Sequence, residues 1–276
     1  MSYKIHSLSG VTGGQMMSYI ITTPGCSTYV IDGGYDRDAE ELLRYIKENI
    51  GTRHIDGWFL THPHQDHIHA FLTIIEKYAE EIDIDRIFYH PSDPEFIKAH
   101  QYSEDEYLTS VRLINDAAGI MPEKWIVANT GDRLELPDIT VDVLYHPDPL
   151  LYMNVVNNAS TVFKFTLGKK TLLITGDIGV EGSRICLAHY ARELKCDIVE
   201  MSHHGQNGAA KEFYQAVHPT VCLWPTPQWL WDNNAGGGYD SHIWKTITVR
   251  GWMSELGVRR HIVAKDGNQI LDVDSL

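Results

Sequence analysis

The sequence predicts an α/β chain of the α+β type, with two mixed sheets packed face to face and helices outside. Two observations point there. A strand-rich half, a helical stretch, a second strand-rich half and further helices follow one another along 276 residues. The predicted strands are short apolar runs, which two packed sheets with helices outside would bury. No internal copy recurs at the periods of roughly 20–50 residues that mark solenoids. No Pro/Gly/Ser linker interrupts the chain, so residues 1–276 read as one domain.

The elements follow in order. Residues 3–9, 16–22 and 28–32 read as strands, the last two joined through Pro24-Gly25. Residues 36–50 form an amphipathic helix with Ala39, Leu42, Leu43, Ile46 and Ile50 on one face. A strand over 57–60 leads into a histidine-rich turn, and a helix over 68–79 follows. Residues 84–89 read as a strand, and 95–100 and 104–118 as helices that can form a lid. Strands are predicted at 125–127 and 139–144, with an irregular polar-aromatic stretch over 148–158. A hairpin spans 160–167 and 171–175. The rest alternates: helix 180–194, strand 197–201, helix 211–217, strand 221–224, helix 243–256 and two closing strands. The glycine-rich stretch 232–238 reads as a mobile loop.

Composition narrows the function classes. The apolar fraction of 43% and charged fraction of 22% are those of an ordinary globular protein. Against 23 basic residues stand 37 acidic ones, a net charge of −14. Such a surface repels polyanions, and Lys/Arg clustering does not exceed pairs such as Lys169-Lys170 and Arg259-Arg260. An extended nucleic-acid footprint is therefore not expected. No stretch approaches the roughly 18 apolar residues of a membrane span, and residues 1–7 lack a signal-peptide core. Cys26, Cys186, Cys196 and Cys222 are scattered, as for free thiols in a reducing cytoplasm, which is the expected compartment.

The chemistry centres on Thr61-His62-Pro63-His64-Gln65-Asp66-His67. Four ligand-type side chains fall in a His-x-His-x-Asp-His spacing at the carboxyl end of an apolar strand, where α/β proteins place their sites. Imidazole and carboxylate together suit zinc, manganese or iron. His62 and His64 alternate and project to one side of an extended turn. Asp66 and His67 are adjacent at a helix start and diverge, so one turn can feed two metals. Two further strands end in chemistry of the same kind. Asp177 follows Leu172-Leu173-Ile174 through a glycine, and His203 follows Ile198-Val199-Glu200-Met201. Asp177 can bridge two ions with its two oxygens; its structural alternative is a cap for the helix near Val180.

Taken together, His62-x-His64-x-Asp66-His67, Thr175-Gly176-Asp177 and Ser202-His203-His204-Gly205 resemble the motifs of the metallo-β-lactamase superfamily over nearly the whole chain. Asp32 matches that family's early structural aspartate. The nearer resemblance is to the metal domain of DNA-uptake competence channels, carried by Asn157-Asn158-Ala159-Ser160, Thr-Gly-Asp and His-His-Gly. The resemblance implies an αββα four-layer sandwich with one or two divalent metals at one edge, zinc first, manganese or iron as alternatives. It implies His62, His64 and Asp177 at the first metal, and Asp66, His67, Asp177 and His203 at the second. Most of the superfamily has a Pro-Gly-His motif that this chain lacks. Asn157, Asn158 and His146 are the candidates near that place, and the first metal is one protein ligand short.

The resemblance implies hydrolysis by a metal-bound hydroxide, with Asp66 orienting it and His204 donating to substrate or acting as general acid. Asn158, Tyr239 and His242 are the candidate substrate-binding residues, and Trp224, Trp229, Trp231 and Tyr152 the candidate aromatic wall. With a charge of −14, the expected substrate is a small molecule or a terminal phosphodiester or ester. The alternatives are nuclease-like action on a single strand, a redox diiron protein, and a non-catalytic binding protein stabilised by metal. The oligomeric state is not legible.

Overall fold

The computed structural model describes residues 2–100, 104–112, 117–147 and 149–276. The strands of the first half are β1 (Lys4–Ser7), β2 (Ser18–Thr22), β3 (Thr28–Asp32), β4 (His54–Ile55), β5 (Gly57–Phe59), β6 (Asp83–Ile84), β7 (Ile87–Tyr89) and β8 (Trp125–Val127). Those of the second are β9 (Arg133–Leu136), β10 (Ile139–Tyr145), β11 (Val162–Leu167), β12 (Lys170–Ile174), β13 (Ile198–Glu200), β14 (Val221–Trp224), β15 (Arg260–Val263) and β16 (Gln269–Asp272). Among the described residues they build two large mixed sheets, ordered β16-β1-β2-β3-β5-β7-β8 and β15-β14-β13-β12-β11-β10-β9, while β4 and β6 pair apart. The helices are α1 (Ala39–Tyr45), α2 (Gln65–Lys77), α3 (Pro94–His100), α4 (Glu104–Val111), α5 (Ala118–Ile120), α6 (Val155–Asn158), α7 (Val180–Tyr190), α8 (Lys211–Val217), α9 (Gln228–Trp231) and α10 (Thr246–Glu255).

Side-chain alternation along the strands explains the layers. In β3, Tyr29 and Ile31 face the second sheet while Val30 faces α1 and α2. In β12, Leu172 and Ile174 face the first sheet while Leu173 packs with Cys186 of α7 and Phe213 of α8. Three large apolar cores result among the described residues, giving helices, sheet, sheet, helices, with a smaller cluster around Ile97 and Val155 beside them. Phe59 is the hinge of the central one: its ring lies 4.6 Å from Phe88 in its own sheet and 4.9 Å from Phe165 in the other. Burying one such ring stabilises the fold by roughly 1.5–3 kcal/mol.

The topology collects the site. β3, β5 and β7 run parallel, as do β12, β13 and β14. Asp32, the histidine turn, Asp177 and the His203-His204 pair therefore leave strands at their carboxyl ends.

Several expectations shift. β9 was not predicted; its half-exposed Arg-Leu-Glu-Leu alternation pairs antiparallel with β10. The strand expected over 84–89 is two, β6 in the small pair and β7 in the main sheet. The last strand, β16, crosses back to pair with β1. Within the irregular stretch 148–158, α6 forms one helical turn; residue 148 and residues 113–116 of the expected 104–118 helix lie outside the described residues. The helix expected over 243–256 begins at Thr246. No helix among the described residues is long and apolar enough to cross a membrane.

Candidate metal centre

The site is built by four short segments, three of which hold a left-handed backbone. Asp32 closes β3 at φ 51°. Its carboxylate accepts the Thr61 N–H (2.8 Å) and the Thr61 hydroxyl (2.6 Å). Gly176 turns the chain at φ 53°; a Cβ there would lie 2.8 Å from Ser160 Oγ and 3.0 Å from Thr61 Cβ, so only glycine fits. The turn is braced where the Asp177 N–H donates to Ser160 Oγ (2.9 Å) and the His203 N–H to Gly176 O (3.0 Å). His203 and His204 both have positive φ, 53° and 54°. Gly205 follows at φ 76°, where any Cβ would overlap the Trp224 ring.

These turns bring together two sets of ligand-type atoms, one from His62, His64 and Asp177 and the other from Asp66, His67 and His204. His62 Nε2 lies 2.9 Å from His64 Nδ1 and 3.7 Å from Asp177 Oδ2. His67 Nε2 lies 3.3 Å from His204 Nε2 and 3.2 Å from Asp177 Oδ1. His204 Nε2 is 3.1 Å from Asp66 Oδ2. Asp177 therefore touches both sets.

Each ring's outward nitrogen assigns its tautomer. His67 Nδ1–H donates to Asp32 Oδ2 (2.7 Å), and His204 Nδ1–H to the Pro225 carbonyl (2.9 Å). His64 Nε2–H donates to Glu106 Oε1 (2.9 Å). The Thr61 hydroxyl gives its own proton to Asp32, so it accepts from His62 Nδ1–H (3.1 Å). An acceptor-only partner fixes the proton on the nitrogen facing it. The inner nitrogens of all four rings then face one another and two carboxylates, an arrangement that calls for positive charge between them, a proton or a bound cation, with the outer partners of a metal centre in place.

Charge agrees with that reading. Burial opposes the charged form of His67, yet Asp177 and Asp32 raise its pKa well above the ordinary value. Burial opposes ionisation of Asp66, yet the His204 hydrogen bond and His67 hold it below the carboxylate range. Burial lowers the pKa of His62, with His67 adding to it. The pocket keeps its carboxylates ionised and favours positive charge between them. The donors fit one or two divalent ions.

The predicted residues are not all where the motifs placed them. His62, His64, Asp66, His67 and Asp177 converge. His204, expected outside the ligand shell, is fully buried and stands with Asp66 and His67. His203, expected as the ligand, points its Nε2 to 3.8 Å from Asp177 Oδ2 with 19% of its side chain exposed. The left-handed backbone at both residues reverses which ring turns inward. Asn158, expected to face substrate or the first metal, does neither. Its Oδ1 accepts the N–H groups of Gly179 (2.8 Å) and Gly182 (3.3 Å), and its Nδ2 donates to Met153 O (2.8 Å). That amide caps α7, the duty considered for Asp177. His146 is buried and stacked on His90 at 3.7 Å between centroids, and it is a member of neither ligand set. Tyr239 is 64% exposed, and the His242 ring packs on Trp244. Among the described residues, neither hydrogen-bonds to the ligand set. Trp224 is core beneath Gly205 rather than a wall.

Three contributors went unread in the sequence. Gln15 Nε2–H donates to Asp66 Oδ2 (2.9 Å) from an irregular loop. Glu106 reaches His64 from α4. Glu200 is fully buried under Thr175, whose N–H and hydroxyl donate to it at 2.9 and 2.7 Å. A charged residue inside the apolar run 197–201 was the available signal for Glu200; Gln15 and Glu106 carried none.

Comparison with known proteins agrees with the fold. The family described as the metallo-beta-lactamase superfamily matches residues 11–217. ComE operon protein 3 of Bacillus subtilis is 27% identical over 177 residues, 63% of this chain; the match spans 20% of that protein's length. The structure of CmlA, a diiron beta-hydroxylase from Streptomyces venezuelae, has a TM-score of 0.59 at 14% identity, covering 99% of this chain and 54% of that one. The metallo-beta-lactamase fold protein YhfI from Bacillus subtilis has a TM-score of 0.54 at 14% identity, covering 97% and 99%.

Proposed function

The chain belongs to the metallo-beta-lactamase superfamily, and from that premise we propose that it is a metal-dependent hydrolase of a small or terminal phosphodiester or ester. The observation that carries the reading is the pair of inward-facing ligand-atom sets joined by Asp177. His62, His64 and Asp177 would hold one ion, and Asp66, His67, His204 and Asp177 the other, with zinc favoured by the imidazole-rich set. Ions bound there supply Lewis acidity and lower the pKa of water toward about 7.

The chain's own residues do the rest. Asp177 spans both positions with its two oxygens. Asp66, steadied by Gln15, is the carboxylate placed to orient water and accept its proton. His203 takes the role first considered for His204. Burial, opposed by Asp177, lowers its pKa, and its ring stands at the partly exposed edge of the site, placed to hydrogen-bond or exchange a proton with a substrate oxygen. The acidic surface supports a small substrate over a long polyanion.

Loading the protein with zinc or manganese and assaying a nitrophenyl phosphodiester, a lactone and labelled single-stranded DNA tests this. Turnover of the first or second supports the reading. Turnover of DNA alone replaces it with a nuclease. No turnover with metal confirmed sinks hydrolysis for these classes.

A further inference from the structure

We infer that Glu106 is a positioning residue for the first metal position, holding His64 in the tautomer that offers Nδ1 inward. The inference rests on the metal reading above and assigns a role to a helix outside the motif set.

His62, His67 and His204 are held by Thr61, Asp32 and the Pro225 carbonyl, all groups at or just beyond strand ends. His64 is held from elsewhere: Glu106 Oε1 stands 2.9 Å from its Nε2. A carboxylate accepts only, so the proton sits on Nε2 and Nδ1 keeps its lone pair. Nδ1 is the atom 2.9 Å from His62 Nε2, which faces the cluster. His64 is also the ligand with 17% of its side chain exposed, where water competes for its nitrogens. Without the carboxylate, the ring can place its proton on either nitrogen.

The helix bearing Glu106 is itself seated on the helix that starts at the metal turn. Thr109 Oγ1 lies 2.9 Å from His69 Nε2, and Arg112 Nε donates to Glu76 Oε1 (2.7 Å). Glu106 and Thr109 of α4, spaced as neighbours on one helical face, and Arg112 just past its end meet His64 at the start of α2 and His69 and Glu76 within it. The position served this way is the one whose ligand set lacks a Pro-Gly-His histidine. A set with few protein ligands depends strongly on how well each is aimed, and outer carboxylate partners of metal-bound histidine typically govern about 10–100-fold in affinity.

Competition titration with zinc and a chromophoric chelator, on metal-stripped wild type, E106A and E106Q, tests the inference, with thermal unfolding as the check on folding. The wild type is expected to bind two equivalents. E106A is expected to weaken one equivalent about 10–100-fold and leave the other unchanged. E106Q is expected to retain near wild-type affinity, because its amide oxygen accepts the same N–H. Two equivalents bound as tightly by a folded E106A as by wild type overturn this inference alone. Equal weakening in E106A and E106Q also overturns it, since hydrogen-bond acceptance would then not matter. No zinc bound by the wild type overturns the metal reading, and this inference with it.

Discussion

Asp32 Oδ2 accepts from His67 Nδ1–H at 2.7 Å while the same carboxylate takes both donors of Thr61. One buried side chain thus ties the end of β3 to both ends of the metal turn and aims His67 Nε2 inward. Its left-handed φ of 51° is the sort of backbone strain that persists where surrounding contacts over-determine it.

Asp32→Asn sets an amide NH₂ against the ring N–H or the Thr61 donors, so at least one donor loses its acceptor. Zinc affinity at the His67 position is expected to fall about 10–100-fold, and stability by roughly 1–3 kcal/mol for the unpaired buried donor. Competition titration and thermal melts of the metal-free protein measure these separately. Unchanged zinc binding would show that Asp32 only braces the backbone.

Exchanging the roles of His203 and His204 makes a sharp comparison. H204A removes a ring 3.1 Å from Asp66 and 3.3 Å from His67, and is expected to lose one zinc equivalent and turnover together. H203A removes the partly exposed ring and is expected to keep two equivalents while kcat/KM falls about 10²-fold or more, the usual scale of acid–base help. Metal analysis of both variants decides it, and the opposite pattern would restore the assignment made from the motif.

Most of the residues that converge in the candidate site were legible because each sits in a short motif just beyond an apolar strand, and parallel neighbours bring those ends to one rim. The layers were legible for the same reason, from runs such as 57–60 and 172–174. Which of two adjacent histidines turns inward was not, because it depends on the positive φ of residues 203 and 204 and on Trp224 beneath Gly205. Glu106 reaches the site through packing of α4 on α2, which leaves no periodicity to read. Asn158 misled because a motif position says where a residue stands, and its amide was already committed to α7. Tyr239 and His242 were placed by loop proximity in sequence, which fixed no direction.

Asn158→Ala tests that capping role. It strips the acceptor from two buried N–H groups, of Gly179 and Gly182. Loss of a cap costs about 0.5–2 kcal/mol, so Tm is expected to fall by roughly 1–8 °C. Zinc stoichiometry is expected to remain that of the wild type. A lost equivalent without destabilisation would instead return Asn158 to the first metal.

Glu200 gives the protein a pH dependence that the motifs do not announce. Burial pushes its carboxyl from 4.5 to about 7, against the two hydrogen bonds from Thr175, which favour the charged form. Below 4.5 the residue is protonated in both folded and unfolded chains. Between 4.5 and 7 the folded chain keeps its proton while the unfolded chain releases it, so stability falls as pH rises. The rise from 4.5 to about 7 corresponds to roughly 3 kcal/mol, fully lost above pH 7. Other groups titrate in the same window, so the quantity to measure is the stability difference between wild type and Glu200→Gln, by urea unfolding of metal-free protein across pH 4.5–8. That difference is expected to move against the wild type by roughly 3 kcal/mol over the interval. A difference that stays flat would mean that Glu200 is ionised in the folded chain throughout, with a cation or donor beside it.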